Sequence, residues 1–174
     1  WFGALAVVVT FRQTDPLYTL DLSAPADPRL LGTLKIPGFS SYLHPVGDDL
    51  LLGLGQDASR SGRTRGAQAA VFDLTDLRDP RRTDTVAFAR HTELAAAWDS
   101  RAFTYLPEQR IAVTTVQDVW NGRTRLAVLR VGSDGSLAAT TTERLDRWSG
   151  PVRALPVGDR VALVSGGEVR LISV

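Results

Sequence analysis

Apolar positions along the chain fall in short runs rather than at helical spacing. The clearest are Leu5-Ala6-Val7-Val8-Val9, Leu50-Leu51-Leu52-Gly53-Leu54, Ala69-Ala70-Val71-Phe72, Ile111-Ala112-Val113, Leu126-Ala127-Val128-Leu129 and Val161-Ala162-Leu163-Val164. Runs of roughly 4–8 residues punctuated by Gly, Pro, Asp and Ser have the length and boundaries of strands. Alternation is visible where one face is polar: Tyr18, Leu20 and Leu22 fall on one side of a strand and Thr19 and Asp21 on the other. Glu168-Val169-Arg170-Leu171 alternates in the same way. His91 to Trp98, with Glu93, Leu94 and a run of alanines, is the single helix candidate; it is short and uncapped, so a loop suits it equally. The pattern predicts an all-β chain.

The runs repeat. Leu20-Asp21-Leu22-Ser23 followed by Asp27-Pro28-Arg29 matches Phe72-Asp73-Leu74-Thr75 followed by Asp79-Pro80-Arg81, 52 residues later. Each reads as a strand entering an Asp-Pro turn, with proline presetting φ and the Asp27 and Asp79 carboxylates expected to bond the backbone N–H groups that follow. The strands after these turns run from Leu30 to Ile36 and from Thr83 to Phe88. A second element recurs at Leu43-His44-Pro45, Tyr105-Leu106-Pro107 and Ala154-Leu155-Pro156, each just ahead of an apolar strand. There proline closes one strand and a Gly/Asp turn opens a hairpin. A third joins Gln56-Asp57 to Gly62-Arg63-Thr64-Arg65, and Gln117-Asp118 to Gly122-Arg123-Thr124-Arg125.

Together these define a four-strand unit with a period of roughly 45–60 residues, the signature of a β-propeller blade. Residues 4–36 are expected to hold the last three strands of one blade, 40–89 and 100–145 full blades, and 151–174 the first three strands of a fourth. The fold class is therefore all-β: a β-propeller of four-stranded antiparallel blades, present as an open sector of roughly three and a half blades. The end blades of such a sector would expose apolar faces and favour association.

Composition narrows the function. Hydrophobic residues at 44% and charged residues at 22% belong to a folded domain. Lys plus Arg number 20 against 19 Asp plus Glu, a net charge of +1 that argues against a nucleic-acid partner. No apolar run approaches the roughly 20 residues of a membrane-spanning helix. Absence of cysteine removes disulfides and thiolate chemistry, and His44 and His91 alone are poor material for a metal site. The chain has no methionine, opens at Trp1 shortly before one apolar run and ends at Val174 within another, which reads as a piece of a longer protein. Trp1 to Val9 lacks the basic start and small-residue cleavage site of a signal peptide.

Residues from Thr10-Phe11 through Asp15-Pro16-Leu17-Tyr18-Thr19-Leu20-Asp21-Leu22-Ser23 to Asp27-Pro28-Arg29, Gly32 and Leu34-Lys35-Ile36-Pro37-Gly38-Phe39-Ser40-Ser41-Tyr42-Leu43-His44-Pro45 resemble the bacterial secreted β-propeller domain family. That family is distantly related to WD-type propellers and similar to LVIVD-type repeats. Trp98-Asp99-Ser100-Arg101-Ala102-Phe103-Thr104-Tyr105-Leu106-Pro107 is similar to its later blade. The resemblance covers essentially the whole chain. It implies a secreted or envelope-anchored bacterial protein with further blades upstream, and it transfers no catalytic residue. The third blade departs from it, using Gly132-Ser133-Asp134-Gly135-Ser136 in place of the Asp-Pro turn.

No catalytic constellation emerges from the spacing. His44 occupies the repeat position of Leu106 and Leu155, a structural place, and His91 reads as exposed. Asp15, Asp27, Asp48, Asp49, Asp79, Asp134 and Asp159 sit in turns that favour aspartate for local hydrogen bonding. The loop after Asp57 lacks the alternating acids of a calcium loop. No Gly-x-Ser-x-Gly nucleophile elbow or complete glycine-rich phosphate motif occurs. No catalytic residue, metal or cofactor is expected. The candidate interaction surface is the pair of Gly/Arg loops: Asp57, Arg60, Arg63 and Arg65 in one blade, Asp118, Trp120, Arg123 and Arg125 in the next. Arginine and tryptophan are enriched at binding hot spots. The plain alternative is a solvated hairpin whose arginines pair with Asp57 and Asp118. The expected role is a non-catalytic scaffold for an unknown protein or envelope ligand. The other reading is part of a propeller hydrolase or lyase whose site uses other blades.

Overall fold

The computed structural model describes residues 2–10, 14–59, 63–145 and 151–174. Within them fifteen strands form four antiparallel sheets. The first sheet is β1 (Leu5–Val9), β2 (Thr14–Asp21) and β3 (Arg29–Pro37), in that order. The second is β4 (Phe39–Pro45), β5 (Leu50–Ala58), β6 (Thr64–Asp73) and β7 (Arg81–Arg90). In the third, β8 (Thr92–Leu94) and β9 (Thr104–Leu106) both pair with β10 (Ile111–Asp118), followed by β11 (Thr124–Val131) and β12 (Leu137–Arg144). The fourth is β13 (Arg153–Val157), β14 (Arg160–Ser165) and β15 (Glu168–Ser173).

His91–Trp98, open between a helix and a loop from its sequence, forms no α-helix. Thr92–Leu94 is strand, paired through Leu94 with Val116, and two 3₁₀ turns follow at Ala95–Ala97 and Ser100–Ala102. A run of alanines this short cannot nucleate a helix against a neighbouring strand edge. These turns divide the first strand of the third sheet, so that sheet takes in Thr92–Leu94 ahead of residue 100.

The second and third sheets are buried on both faces, which explains why their central strands read as unbroken apolar runs, while the first and fourth leave Val8, Leu30, Val169 and Leu171 exposed. In β5, Leu51 joins Leu17, Ala70, Phe72 and Leu74 between the first and second sheets. Its neighbours Leu52 and Leu54 turn the other way, joining Ala67, Ala69, Val71, Ala112, Ala127 and Leu129 between the second and third. A further layer of Leu106, Ile111, Val113, Leu126, Val161 and Leu163 joins the third and fourth.

Polar bonds register the stack. Thr19 Oγ1 donates to the Leu77 carbonyl of the next sheet at 2.5 Å, Thr83 Oγ1 to that of Gly135 at 2.8 Å, and Thr104 Oγ1 to that of Ala154. Asp84 accepts the Leu137 N–H at 2.8 Å. Thr19 corrects a simple reading of amphipathicity. It is fully buried between sheets, whereas Tyr18, Leu20 and Leu22 are half-buried. The hydroxyl enters the interface because it finds a carbonyl there.

The turn chemistry is also redistributed. Asp27 and Asp79 do not bond the following backbone; they take the guanidinium groups of Arg29 and Arg81. Backbone capping falls to the strand-end residues Asp21, which accepts the Ser23 N–H, and Asp73, which accepts the Thr75 N–H and hydroxyl. Asp134 repeats this with Ser136 in the third sheet. Hydrogen bonds from Ser23, Thr75 and Ser136 hold these three carboxyls below the usual range.

Candidate functional site

Strands in these sheets alternate direction, so the β5–β6 and β10–β11 loops emerge on the same side as the connections between sheets. The contacts bear this out. A cleft of about 300 Å³ joins Ser59, Arg63, Thr64 and Arg65 of the second sheet to Arg90 and His91 at the β7–β8 junction. The β10–β11 loop reaches the same junction, because the Val119 N–H donates to the His91 carbonyl at 2.8 Å. Beyond it, a cleft of about 330 Å³ is lined by Thr92, Asp118, Asn121, Arg123, Arg125 and Thr141. A third, of about 400 Å³, runs from Gly122 and Thr124 past Trp98 and Asp99 to Arg153 of the fourth sheet.

The two loops are built differently. Arg65 approaches Asp57 at 3.8 Å, the ion pair expected of a solvated hairpin. Asp118 makes no such pair among the described residues. It caps its own turn, accepting the N–H groups of Trp120 and Asn121 and the Asn121 amide. That leaves Trp120 projecting, 81% exposed. Arg60 lies outside the described residues. Of the candidate residues, Asp57, Arg63 and Arg65 therefore sit on one side of the junction and Asp118, Trp120, Arg123 and Arg125 on the other.

What joins them is His91, which the sequence reading placed merely in solvent. It is exposed, yet its imidazole lies 4.5 Å from the Trp120 ring at an interplanar angle of 12°. Its backbone is left-handed, with φ of 60°, and its N–H donates to the Arg65 carbonyl at 3.1 Å. A non-glycine residue pays about 1–2 kcal/mol for that conformation. The preceding junction takes its left-handed step at a glycine, Gly38, with φ of 84°. Trp98, 71% exposed, and the Asp99–Arg153 pair at 2.5 Å extend the face toward the fourth sheet. Bonds from Arg101, with a smaller contribution from Arg153, keep the Asp99 carboxyl below its usual range.

His44 lies elsewhere, on β4, where its ring packs 4.7 Å from Phe103 and 5.3 Å from Tyr105, with Tyr42 alongside. Burial lowers its pKa from 6.5 and raises those of the Tyr42 and Tyr105 phenols. A histidine held neutral in the folded state binds fewer protons than the unfolded chain, so its contribution to stability is present above about pH 6.5 and lost as pH falls below it. We expect His44→Leu, which installs the residue of the sister positions, to flatten the decline in melting temperature between about pH 7 and 5. Thermal melts across that range check this; parallel curves for the two proteins would contradict it.

The family description "Beta propeller domain" matches residues 1–174. The chain belongs to that family, and its all-β stack of antiparallel sheets is the corresponding architecture. It is 42% identical over 84 residues to an uncharacterized protein of Methanocaldococcus jannaschii, a match covering 48% of this chain and 13% of the relative. It is 44% identical over 79 residues to an uncharacterized protein of Archaeoglobus fulgidus, covering 45% of this chain and 12% of the relative. The matched segment thus spans only a small part of these relatives, both of which are archaeal rather than bacterial.

Proposed function

We propose that the chain is a non-catalytic interaction scaffold within a secreted or envelope-associated protein, binding through the face that carries the β5–β6 and β10–β11 loops. The observation that carries this reading is the gathering of exposed indoles and guanidinium groups on one face. Two of its arginines are paired, Arg65 with Asp57 and Arg153 with Asp99. On the loop face, Arg63, Arg90, Arg123 and Arg125 have no acidic partner among the described residues, and Trp98 and Trp120 project beside them. Unpaired guanidinium groups beside exposed indoles are the composition of a recognition surface. The perturbed carboxyls, by contrast, are turn caps with their bonds already made, which suits a scaffold better than a reaction centre. The extracytoplasmic placement rests on the family resemblance seen in the sequence.

Arg63→Ala combined with Arg123→Ala removes the equivalent residue from each loop without touching the sheets. The double variant should fold normally and lose about 10-fold or more in capture of envelope material, since each hot-spot truncation costs at least about 1 kcal/mol. Equal capture by the folded double variant would overturn the assignment of this face.

A further inference from the structure

Resting on that interaction reading, the geometry points to an acidic polysaccharide as the ligand: a sugar ring lies on the open side of Trp120 while carboxylates along the chain are held by the flanking arginines. Three observations converge. The first is the ridge itself. His91 backs one side of the Trp120 ring, and with 81% of the residue exposed the other side faces solvent. A flat indole held against a second ring is a rigid, amphipathic platform that loses little entropy on binding. The second is strain. His91 keeps a left-handed backbone, held by Arg65 on one side and Val119 on the other, at a junction step that glycine would take freely. Strain maintained by bonds from two sheets marks a side chain whose position matters.

The third is charge. Arg63, Arg65 and Arg90 line the cleft on one side of the ridge, and Arg123 and Arg125 the cleft on the other. Guanidinium forks match carboxylates bidentately. Thr64 adds a neutral hydroxyl partner suited to sugar hydroxyls. The ligand therefore presents a flat apolar face between spaced anionic groups. A uronate-rich glycan does so. A nucleic acid carries denser charge than this face matches, with Asp57 and Asp118 set among the arginines and a whole-chain net charge of +1.

The test titrates the chain with oligogalacturonate, following tryptophan emission and heat, against a neutral malto-oligosaccharide of equal length and oligo-dT. Oligogalacturonate should bind, shift emission, and bind more weakly as salt rises from about 50 to 500 mM. Trp120→Ala should weaken binding about 10-fold or more and abolish the emission change. His91→Gly, which accepts the same backbone conformation, should leave the melting temperature at or above that of the parent and weaken binding about 3-fold or more. Equal binding of the neutral sugar, tighter binding of oligo-dT, no binding of oligogalacturonate at about 10 mM, or an unchanged constant in Trp120→Ala overturns the proposal. Should oligogalacturonate fail while envelope capture still depends on Arg63 and Arg123, the polysaccharide falls and the interaction face stands. Capture indifferent to those arginines removes both.

Discussion

Phe72→Ala is expected to lower the unfolding free energy by about 3–5 kcal/mol, the range for a phenyl ring removed from a close-packed core. Phe72 is fully buried and the largest member of the layer between the first and second sheets, with Leu17, Leu51 and Ala70. Its ring also overlies a backbone step made for it: a methyl group on Gly53 would come within 2.8 Å of Phe72 Cε2. The side chains around the lost ring are anchored on paired strands, so the site cannot collapse to fill the space. Since a domain of this size is stable by only about 5–15 kcal/mol, much of the margin goes. Urea denaturation measures it. The same variant should expose amides of β1–β3 to exchange before those of the third sheet, because the ring lies between the first two sheets. A loss below about 1 kcal/mol would mean that Phe72 does not sit between packed sheets.

Gly55→Ala is expected to cost about 3 kcal/mol, the upper end of the range for overpacking. Gly55 pairs with Ser40 across β4 and β5, at a register shift between Ser40 and Tyr42. A Cβ there would collide with the Phe39 carbonyl oxygen and lie 2.8 Å from both the carbonyl carbon and Ser40 Cα. These are backbone atoms, so no rotamer change relieves the clash; β4 has to move away from β5. Glycine inside a strand commonly marks such a bulge and close approach. Loss of the fold's cooperativity, read as a shallower urea slope, would accompany the drop in midpoint. A variant as stable as the parent would show that β4 is not the partner of β5 at this register.

Much of this architecture was legible because its cause is local. Strands buried on both faces must be apolar along their length, and Leu50–Leu54 and Ala69–Phe72 are. The repeated Asp-Leu-Ser/Thr and Asp-Pro-Arg elements recur because each sheet needs the same turn, and the two copies do make equivalent bonds at Asp21 and Asp73. What misled was side-chain chemistry, settled in some places by a neighbouring strand or sheet and in others by a competing group in the same turn. Thr19 reads as a solvent position until the Leu77 carbonyl arrives to receive its hydroxyl. Asp27 and Asp79 read as backbone caps, but a nearby guanidinium competes better for their carboxylates than an N–H does. The alanines after Leu94 suggest a helix only when β10 is left out of account.

The loop face was half visible. The recurrence of Gly-Arg-Thr-Arg marked both loops, and Trp120 with Arg123 stood out by residue type. Its centre did not, because the meaning of His91 lies in a φ angle and in a ring contact made across two sheets. Nothing in sequence spacing reports either.

The central claim is that successive sheets stack face to face in chain order, and the most direct test is a set of nuclear Overhauser contacts across the three junctions. Cross-peaks are expected between Gly32 and Pro80, whose Cδ lies 2.8 Å from where a Cβ on Gly32 would be. They are expected between the His44 ring and those of Phe103 and Tyr105. They are expected, too, between Thr104 and Ala154. Absence of all three sets, with cross-peaks instead linking the first sheet to the third, would contradict the stack.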